Sequence, residues 1–280
     1  MGAEPLIRGL CFGEGPRWHA GSLWLSDMHD HRVLTVSEAG RVTPVVEVPN
    51  RPSGLGFAAD GTLLVVSMTD RSVWRWDGHA LVRLADLGQL ASHDCNDMVV
   101  DRHGRAYVGN FGFDLHHRAE FRPAELVAVE PDGAARVVAT DLAFPNGTVI
   151  TPDHATLIVA ESYARRLSAF DIDAEGDLHN RRIWAELPAG VVPDGICLDS
   201  MMGIWIASPT TNECLRVESG GRVTHRIGLD QGAYACMLGG SDRRNLYILT
   251  AAGSDPDTCR EQRSGRVDVA RAPFPGAGLP

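Results

Sequence analysis

The chain contains no lysine: all 26 of its basic residues are arginines. Schiff-base chemistry and lysine general bases are thereby excluded. Long apolar runs are missing too, none approaching the roughly 18–20 residues that a membrane span requires. The opening MGAEPLIRG lacks a basic segment followed by an apolar one, so no secretory signal is read there. Cys11, Cys95, Cys197, Cys214, Cys236 and Cys259 are scattered without a CxxC spacing. In a chain of 280 residues this predicts free thiols and a cytoplasmic location, with one bridge between Cys214 and Cys259 left open. No GxSxG elbow occurs, so a serine hydrolase has no support. Positive charge is outnumbered: the net charge of −10 disfavours nucleic acid and anionic membrane as partners. Sustained 3.6-residue apolar periodicity is also absent, which predicts little helix.

What the chain does have is a repeat. Six short stretches resemble one another, starting at Glu14 (EGPRW), Ser53 (SGLGF), Asn96 (NDMVV), Asn146 (NGTVI), Asp194 (DGICL) and Cys236 (CMLGG), in steps of 39 to 50 residues. Such a period, with strand and turn patterns inside it, predicts a β-propeller. The second unit reads as four strands: GLGFAADG ending in the Asp60-Gly61 turn, TLLVVSM, SVWRWDG and HALVRLADL. The expected architecture is all-β, a six-bladed propeller of four antiparallel strands per blade, forming one domain over residues 1–280. Its closing strand GRVDVARA should pair with a segment around Leu6–Cys11, removing exposed edges. The end, 273–280, reads as a disordered tail.

Antiparallel blades place the loops 27–31, 68–72, 110–124, 161–166, 208–214 and 252–264 on one face, around a mouth whose floor carries Glu14, Asn96, Asn146 and Asp194. Two carboxylates and two amides converging on an axis suit a hard divalent cation. A cation there would offset the repulsion between Glu14 and Asp194. The other reading is that these groups bond to neighbouring blades around a water-filled channel. Rim residues Phe111, Phe113 and Tyr163, with Met28 and Tyr234, suit an aromatic or alkyl substrate. His29, His31, His116 and His117 on mouth loops could offer imidazole, with His29 placed among the substrate-binding candidates. Cys95 and Cys236 read as small buried packing residues.

The segments GEGPRW at Gly13–Trp18, ND at Asn96–Asp97, FPNG at Phe144–Gly147 and PDG at Pro193–Gly195 resemble the marks of the regucalcin/gluconolactonase/luciferin-regenerating enzyme family. The resemblance covers nearly the whole chain. It implies a six-bladed propeller that hydrolyses a lactone, or a small cyclic or aryl ester, to a hydroxy acid with one divalent metal ion (Ca²⁺, Mg²⁺, Mn²⁺ or Zn²⁺). It carries metal ligation onto Glu14, Asn146 and Asp194, substrate contact onto Asn96, and the general-base role onto Asp194. Sugar-lactone members often carry an arginine two residues before the ND asparagine; here that position is Asp94, a further substrate-binding candidate. Phe111 and Tyr163 complete that set. The partner implied is a small lactone or ester, and the chain is expected to act as a monomer or weak homodimer. The competing readings are a strictosidine-synthase-like condensation on the same scaffold and a metal- or protein-binding module.

Overall fold

Short alternating segments closed by tight turns leave little choice but hairpins. At the Asp60-Gly61 turn Gly61 takes φ +82°, a left-handed conformation that costs glycine nothing. The computed structural model describes residues 2–277. Six four-stranded antiparallel sheets result. The first blade is β2 (Gly13–His19), β3 (Ser22–Asp27), β4 (Arg32–Val36) and β5 (Val42–Glu47); the second is β6 (Pro52–Phe57), β7 (Leu63–Ser67), β8 (Ser72–Trp76) and β9 (Leu81–Asp86). The third is β10 (Cys95–Val100), β11 (Ala106–Asn110), β12 (Ala124–Val129) and β13 (Ala135–Leu142); the fourth is β14 (Pro145–Ile150), β15 (Thr156–Glu161), β16 (Arg166–Ile172) and β17 (Leu178–Glu186). The fifth is β18 (Ile196–Leu198), β19 (Ile204–Ser208), β20 (Glu213–Val217) and β21 (Val223–Gly228). The sixth takes β22 (Gly232–Gly239), β23 (Asn245–Ala251) and β24 (Gly265–Arg271) from the end of the chain and β1 (Glu4–Leu10) from its start. β1 pairs with β24 from Glu4↔Val269 to Leu10↔Gly265, the closure that the sequence pattern predicts.

The inner strands pack side by side around the axis, β2 against both β6 and β22, so the sheets close a six-bladed propeller. The second strands are covered on both faces: Leu63–Ser67, Ala106–Asn110 and Ile204–Ser208 are buried throughout. Outer strands such as β5 and β17 are largely exposed. Apolar side chains fill the wedges between blades; between the fifth and sixth, Trp205, Leu246, Ile248 and Met237 form one such cluster.

Five of the inner strands carry a bulge near the mouth, between Glu14 and Arg17, Pro52 and Leu55, Cys95 and Met98, Pro145 and Thr148, and Ala233 and Ala235. A bulge re-aims a side chain, and these fall at Glu14, Ser53, Asn96, Asn146 and Tyr234, whereas Asp194 lies just before the start of β18. The following glycine is needed because neighbouring strands nearly touch at that level. A Cβ on Gly147 would lie 2.4 Å from the Ile196 nitrogen, and one on Gly195 would lie 2.6 Å from the Ala235 Cα.

The same contacts correct the sixth position. The Gly147 N–H donates to the Asp194 carbonyl (3.2 Å), and the Gly195 N–H donates to the Tyr234 carbonyl (2.7 Å). Tyr234 is therefore the equivalent of Asp194 in the last blade. Cys236, expected there, lies two residues further along β22, 3.8 Å from the Cys197 sulfur. The sixth unit has Tyr234-Ala235 where four of the others have a polar residue and glycine and the third has Asn96-Asp97, so the motif is disguised. All six cysteines are free and buried.

The expected disordered tail is also corrected over 273–277. The Pro275 carbonyl accepts from the Ser200 N–H (2.8 Å), the Ala277 N–H donates to the Leu198 carbonyl (3.1 Å), and the Arg216 guanidinium lies 4.8 Å from the Phe274 ring centroid. Backbone groups that a polar tail would leave to water are thus paired with the fifth blade. Residues 278–280 of that tail lie outside the described residues. The long sixth loop contains a helix, α1 (Pro256–Gln262), whose N-cap Asp255 accepts from the Thr258 N–H at 2.9 Å. Among the described residues no helix is long and apolar enough to cross a membrane.

Candidate active site

The mouth holds a cavity of about 360 Å³. Glu14, Asn96, Asn146, Asp194 and Tyr234 reach it from the blade starts, and every one of the six returning loops contributes to its wall. Met28 and His29 come from the first loop, Met68 from the second, Phe111, Leu115 and His116 from the third. Ser162 and Tyr163 come from the fourth, Pro209 and Thr210 from the fifth, and Ser254 from the sixth. Of the sequence candidates, Glu14, Asn96, Asn146, Asp194, Phe111, Tyr163 and His29 are brought together here.

Asp94 is not among the lining residues. Its carbonyl accepts from the Phe111 N–H (2.9 Å) and its carboxylate stands 3.6 Å from His93 Nδ1. Phe113 lies behind the wall, edge-on to Tyr163 with centroids 5.3 Å apart. His31 bonds the Pro49 carbonyl (2.6 Å), and His117, 86% exposed, pairs with Asp114; neither lines the cavity. Ser53 is buried but does not reach the cavity.

Two lining aromatics were missed, Phe12 and Phe144. Each stands two residues before its blade's polar residue, as does Val192, so an offset of two from Glu14, Asn146 and Asp194 would have found them.

The electrostatics at the floor are unfavourable by themselves. Burial, and then the charges of Asp194 and Asp97, push the Glu14 carboxyl well above its usual range, against a single hydrogen bond from the Gly15 N–H and the charge of Arg17. Burial likewise pushes Asp194 up to about 8, opposed by the Asn146 amide. Tyr234 is pushed up to about 12 by burial and by the charge of Asp194. His29 is pushed down to about 4 by burial, so it is neutral at physiological pH. Beneath the floor Arg17 reaches across the channel to Asp97 at 3.0 Å and also donates to the Met98 carbonyl. That pair is nearly sealed from water, at 7% and 8% exposure.

The donor set fits a hard cation. The Asn96 amide nitrogen donates to the Pro145 carbonyl (3.3 Å) and the Asn146 amide nitrogen to Ser162 Oγ (3.3 Å). With both nitrogens spent on the wall, the amide oxygens are the ends left to ligate. Two buried carboxylates and two amide oxygens suit a divalent ion with oxygen preference, whose charge would relieve the strain on Glu14 and Asp194. Among the described residues no group of three or more His, Cys, Asp or Glu is placed to hold a metal, so any ligation here needs the amides.

A closed propeller with oxygen-bearing side chains at one end of its axis is a known enzyme and binding scaffold. Residues 12–252 match the family model described as the SMP-30/Gluconolactonase/LRE-like region, and the chain belongs to that family. It is 28% identical to regucalcin of Oryctolagus cuniculus, over 89% of this chain and 87% of that one. It is 27% identical to the pentonolactonase XacC of Haloferax volcanii, over 94% and 89%. Among solved structures, a gluconolactonase of Xanthomonas campestris superposes with a TM-score of 0.75 at 25% identity, over 96% of this chain and 89% of that one.

Proposed function

We propose that this protein is a divalent-cation-dependent hydrolase that opens a lactone or a small cyclic or aryl ester to a hydroxy acid. The observation that carries the reading is the convergence of Glu14, Asn96, Asn146 and Asp194 on the floor of one cavity in a member of this family. Relatives named as lactonases support the reaction class.

Glu14, Asn146 and Asp194 would hold the cation. When bound, it supplies Lewis-acid polarisation of the ester carbonyl. Asp194 takes a proton from the attacking water, the role its position at the floor suits. The water oxygen bonds to the carbonyl carbon, the acyl C–O bond to the ring oxygen breaks, and that oxygen departs with the electron pair and gains a proton. Asn96, fixed by its bond to Pro145, orients substrate beside these groups. The apolar side chains of the wall limit the water that can reach the reacting groups from the sides.

The test is hydrolysis of a lactone panel before and after removal of metal with EDTA. The expected result is loss of turnover and its recovery when Ca²⁺, Mg²⁺, Mn²⁺ or Zn²⁺ is restored. Undiminished hydrolysis by metal-free protein would sink the reading.

A further inference from the structure

We propose that the substrate is an apolar lactone whose ring oxygen is attached to an arene, an aryl-fused lactone, and that polyhydroxylated sugar lactones are poor substrates. The inference rests on the lactonase reading above and concerns what the cavity wall can recognise.

One side of the wall is a continuous aromatic surface. Phe111 stacks on Phe144 with centroids 4.6 Å apart and planes at 24°, and Phe144 stacks on Tyr163 at 5.4 Å and 29°. Across the mouth, Phe12 meets Tyr234 edge-on at 4.6 Å. Flat aromatic walls gain most from a flat apolar ring, through stacking and edge contacts. Met28 and Met68 fill the margin between, and thioethers adapt to aromatic edges.

The hydroxyls that the fourth and fifth loops bring to the wall are already committed, while His29 Nδ1 is buried there without a partner among the described residues. Ser162 Oγ donates to the Pro193 carbonyl (2.7 Å) and accepts from Asn146. Thr210 Oγ1 donates to the Gly190 carbonyl (2.7 Å). A sugar lactone would bury several hydroxyls against these surfaces, and each buried hydroxyl without a partner is penalised. Among the described residues no arginine lines the cavity, and Asp94 lies outside it. Arg51 and Arg260 stand near enough to His29 to hold it further down, after burial, but neither is part of the lining.

Leaving-group chemistry agrees. A phenol near pKa 10 is expelled far more readily than an alkyl alcohol. An alkoxide needs a proton as it departs. A phenoxide can leave unassisted. Water's oxygen joins the acyl carbon and gives a proton to Asp194, the acyl C–O bond breaks with its electron pair on the phenolic oxygen while the aryl C–O bond stays intact, and the phenoxide then takes up a proton, leaving a phenol bearing a carboxylate.

The experiment compares kcat/KM for dihydrocoumarin and D-glucono-1,5-lactone on the cation-loaded full chain. The expected result is a preference of at least about tenfold for dihydrocoumarin. Phe111→Leu and Phe144→Leu should raise KM for dihydrocoumarin by about five- to tenfold, and by less for the aliphatic δ-valerolactone. Should either variant misfold, the wild-type ratio alone still decides. Equal or better hydrolysis of the sugar lactone overturns this proposal and leaves the lactonase reading standing. Hydrolysis of none of the three overturns both.

Discussion

Glu14 and Glu161 both stand at the mouth end of a blade, and both are nearly sealed from water, at 8% and 0% exposure. Their carboxyls are nevertheless driven in opposite directions. Burial raises Glu14 further with the help of Asp194 and Asp97, and one backbone N–H and Arg17 do not compensate. Burial would raise Glu161 too, but hydrogen bonds from Arg166, the Ala143 N–H, Ser168 and Arg181 outweigh it and hold the carboxyl below its usual range. Arg166 Nε and Arg181 Nη2 each lie 3.0 Å from Glu161 Oε1. One glutamate thus carries its own cations, and the other faces like charge. Burial of a charge says little about function until its partners are counted. A buried anion with built-in partners is a piece of architecture, and a buried anion without them is a place for something the chain does not itself provide.

The same contrast extends around the ring. Asp27 Oδ1 accepts from the N–H groups of Cys11 and Phe12 (2.9 and 3.0 Å), Asn110 Oδ1 accepts from His93 (3.4 Å), and Ser208 Oγ accepts from Val192 (3.3 Å). These residues end the second strands of their blades and tie down the segment entering each inner strand. They bond to the chain itself where Glu14 and Asp194 face each other, though burial still raises Asp27, and Ser67, which ends the second strand of the second blade, has no partner among the described residues.

The largest expected effect follows from that division. Asp194→Asn and Glu14→Gln should each lower kcat/KM toward a lactone by about 10²- to 10⁴-fold while the protein stays folded by circular dichroism. Glu161→Gln should keep activity within about tenfold under conditions where it is folded. Equal loss of turnover in a folded Glu161 variant would erase the distinction between the two glutamates.

Stability should reverse the ranking. Glu161→Gln leaves Arg166 and Arg181 without an anion, though both are about 30% exposed and can be hydrated in part. A cost of about 2–3 kcal/mol in urea unfolding is expected. Its pH dependence has a fixed sign. Because the folded carboxyl is depressed, its contribution is present above the unfolded value near about 4.3 and is lost as pH falls through the folded value. The wild-type advantage over Glu161→Gln should therefore shrink below about pH 4. A gap that instead widened in acid would show the arginines to be doing something other than holding this anion.

Cation linkage separates the same pair from the other side. A divalent ion at about 100 times its dissociation constant should stabilise the fold by about 2.7 kcal/mol. That shift, read as a rise in Tm, should be abolished in Glu14→Gln and retained in Glu161→Gln. Retention in both would place any cation elsewhere on the molecule.

Much of this was legible in the residues. Ring closure by β1 and β24, and the loops of the mouth, follow from strand alternation and antiparallel hairpins, because both are local. Glu14, Asn96, Asn146 and Asp194 announce themselves as polar residues at the heads of apolar strands, three of them followed by a glycine that crowding requires. Tyr234 is legible as a rim aromatic but not as the head of the sixth blade, because Ala235 stands where most of the others have glycine. The Arg17–Asp97 pair is invisible in principle, since it joins residues 80 apart through the geometry of the axis. Asp27, Asn110 and Glu161 could have been read from second strands that each end on a polar residue, as in LWLSD, AYVGN and TLIVAE.

Ser53 provides the smallest and sharpest test of how position relates to role. It occupies in the second blade the place that Glu14 and Asn146 occupy in theirs, and a bulge falls there too, between Pro52 and Leu55. It is 1% exposed, and among the described residues its hydroxyl has no hydrogen-bond partner. A buried hydroxyl without a partner contributes nothing and costs its desolvation, so Ser53→Ala should leave stability unchanged or raise it by up to about 1 kcal/mol. Activity should stay within about twofold, because Ser53 does not line the cavity. A loss of more than about tenfold in kcat/KM would mean that the second blade also serves the floor of the site, and that the ring of equivalent positions acts as a whole.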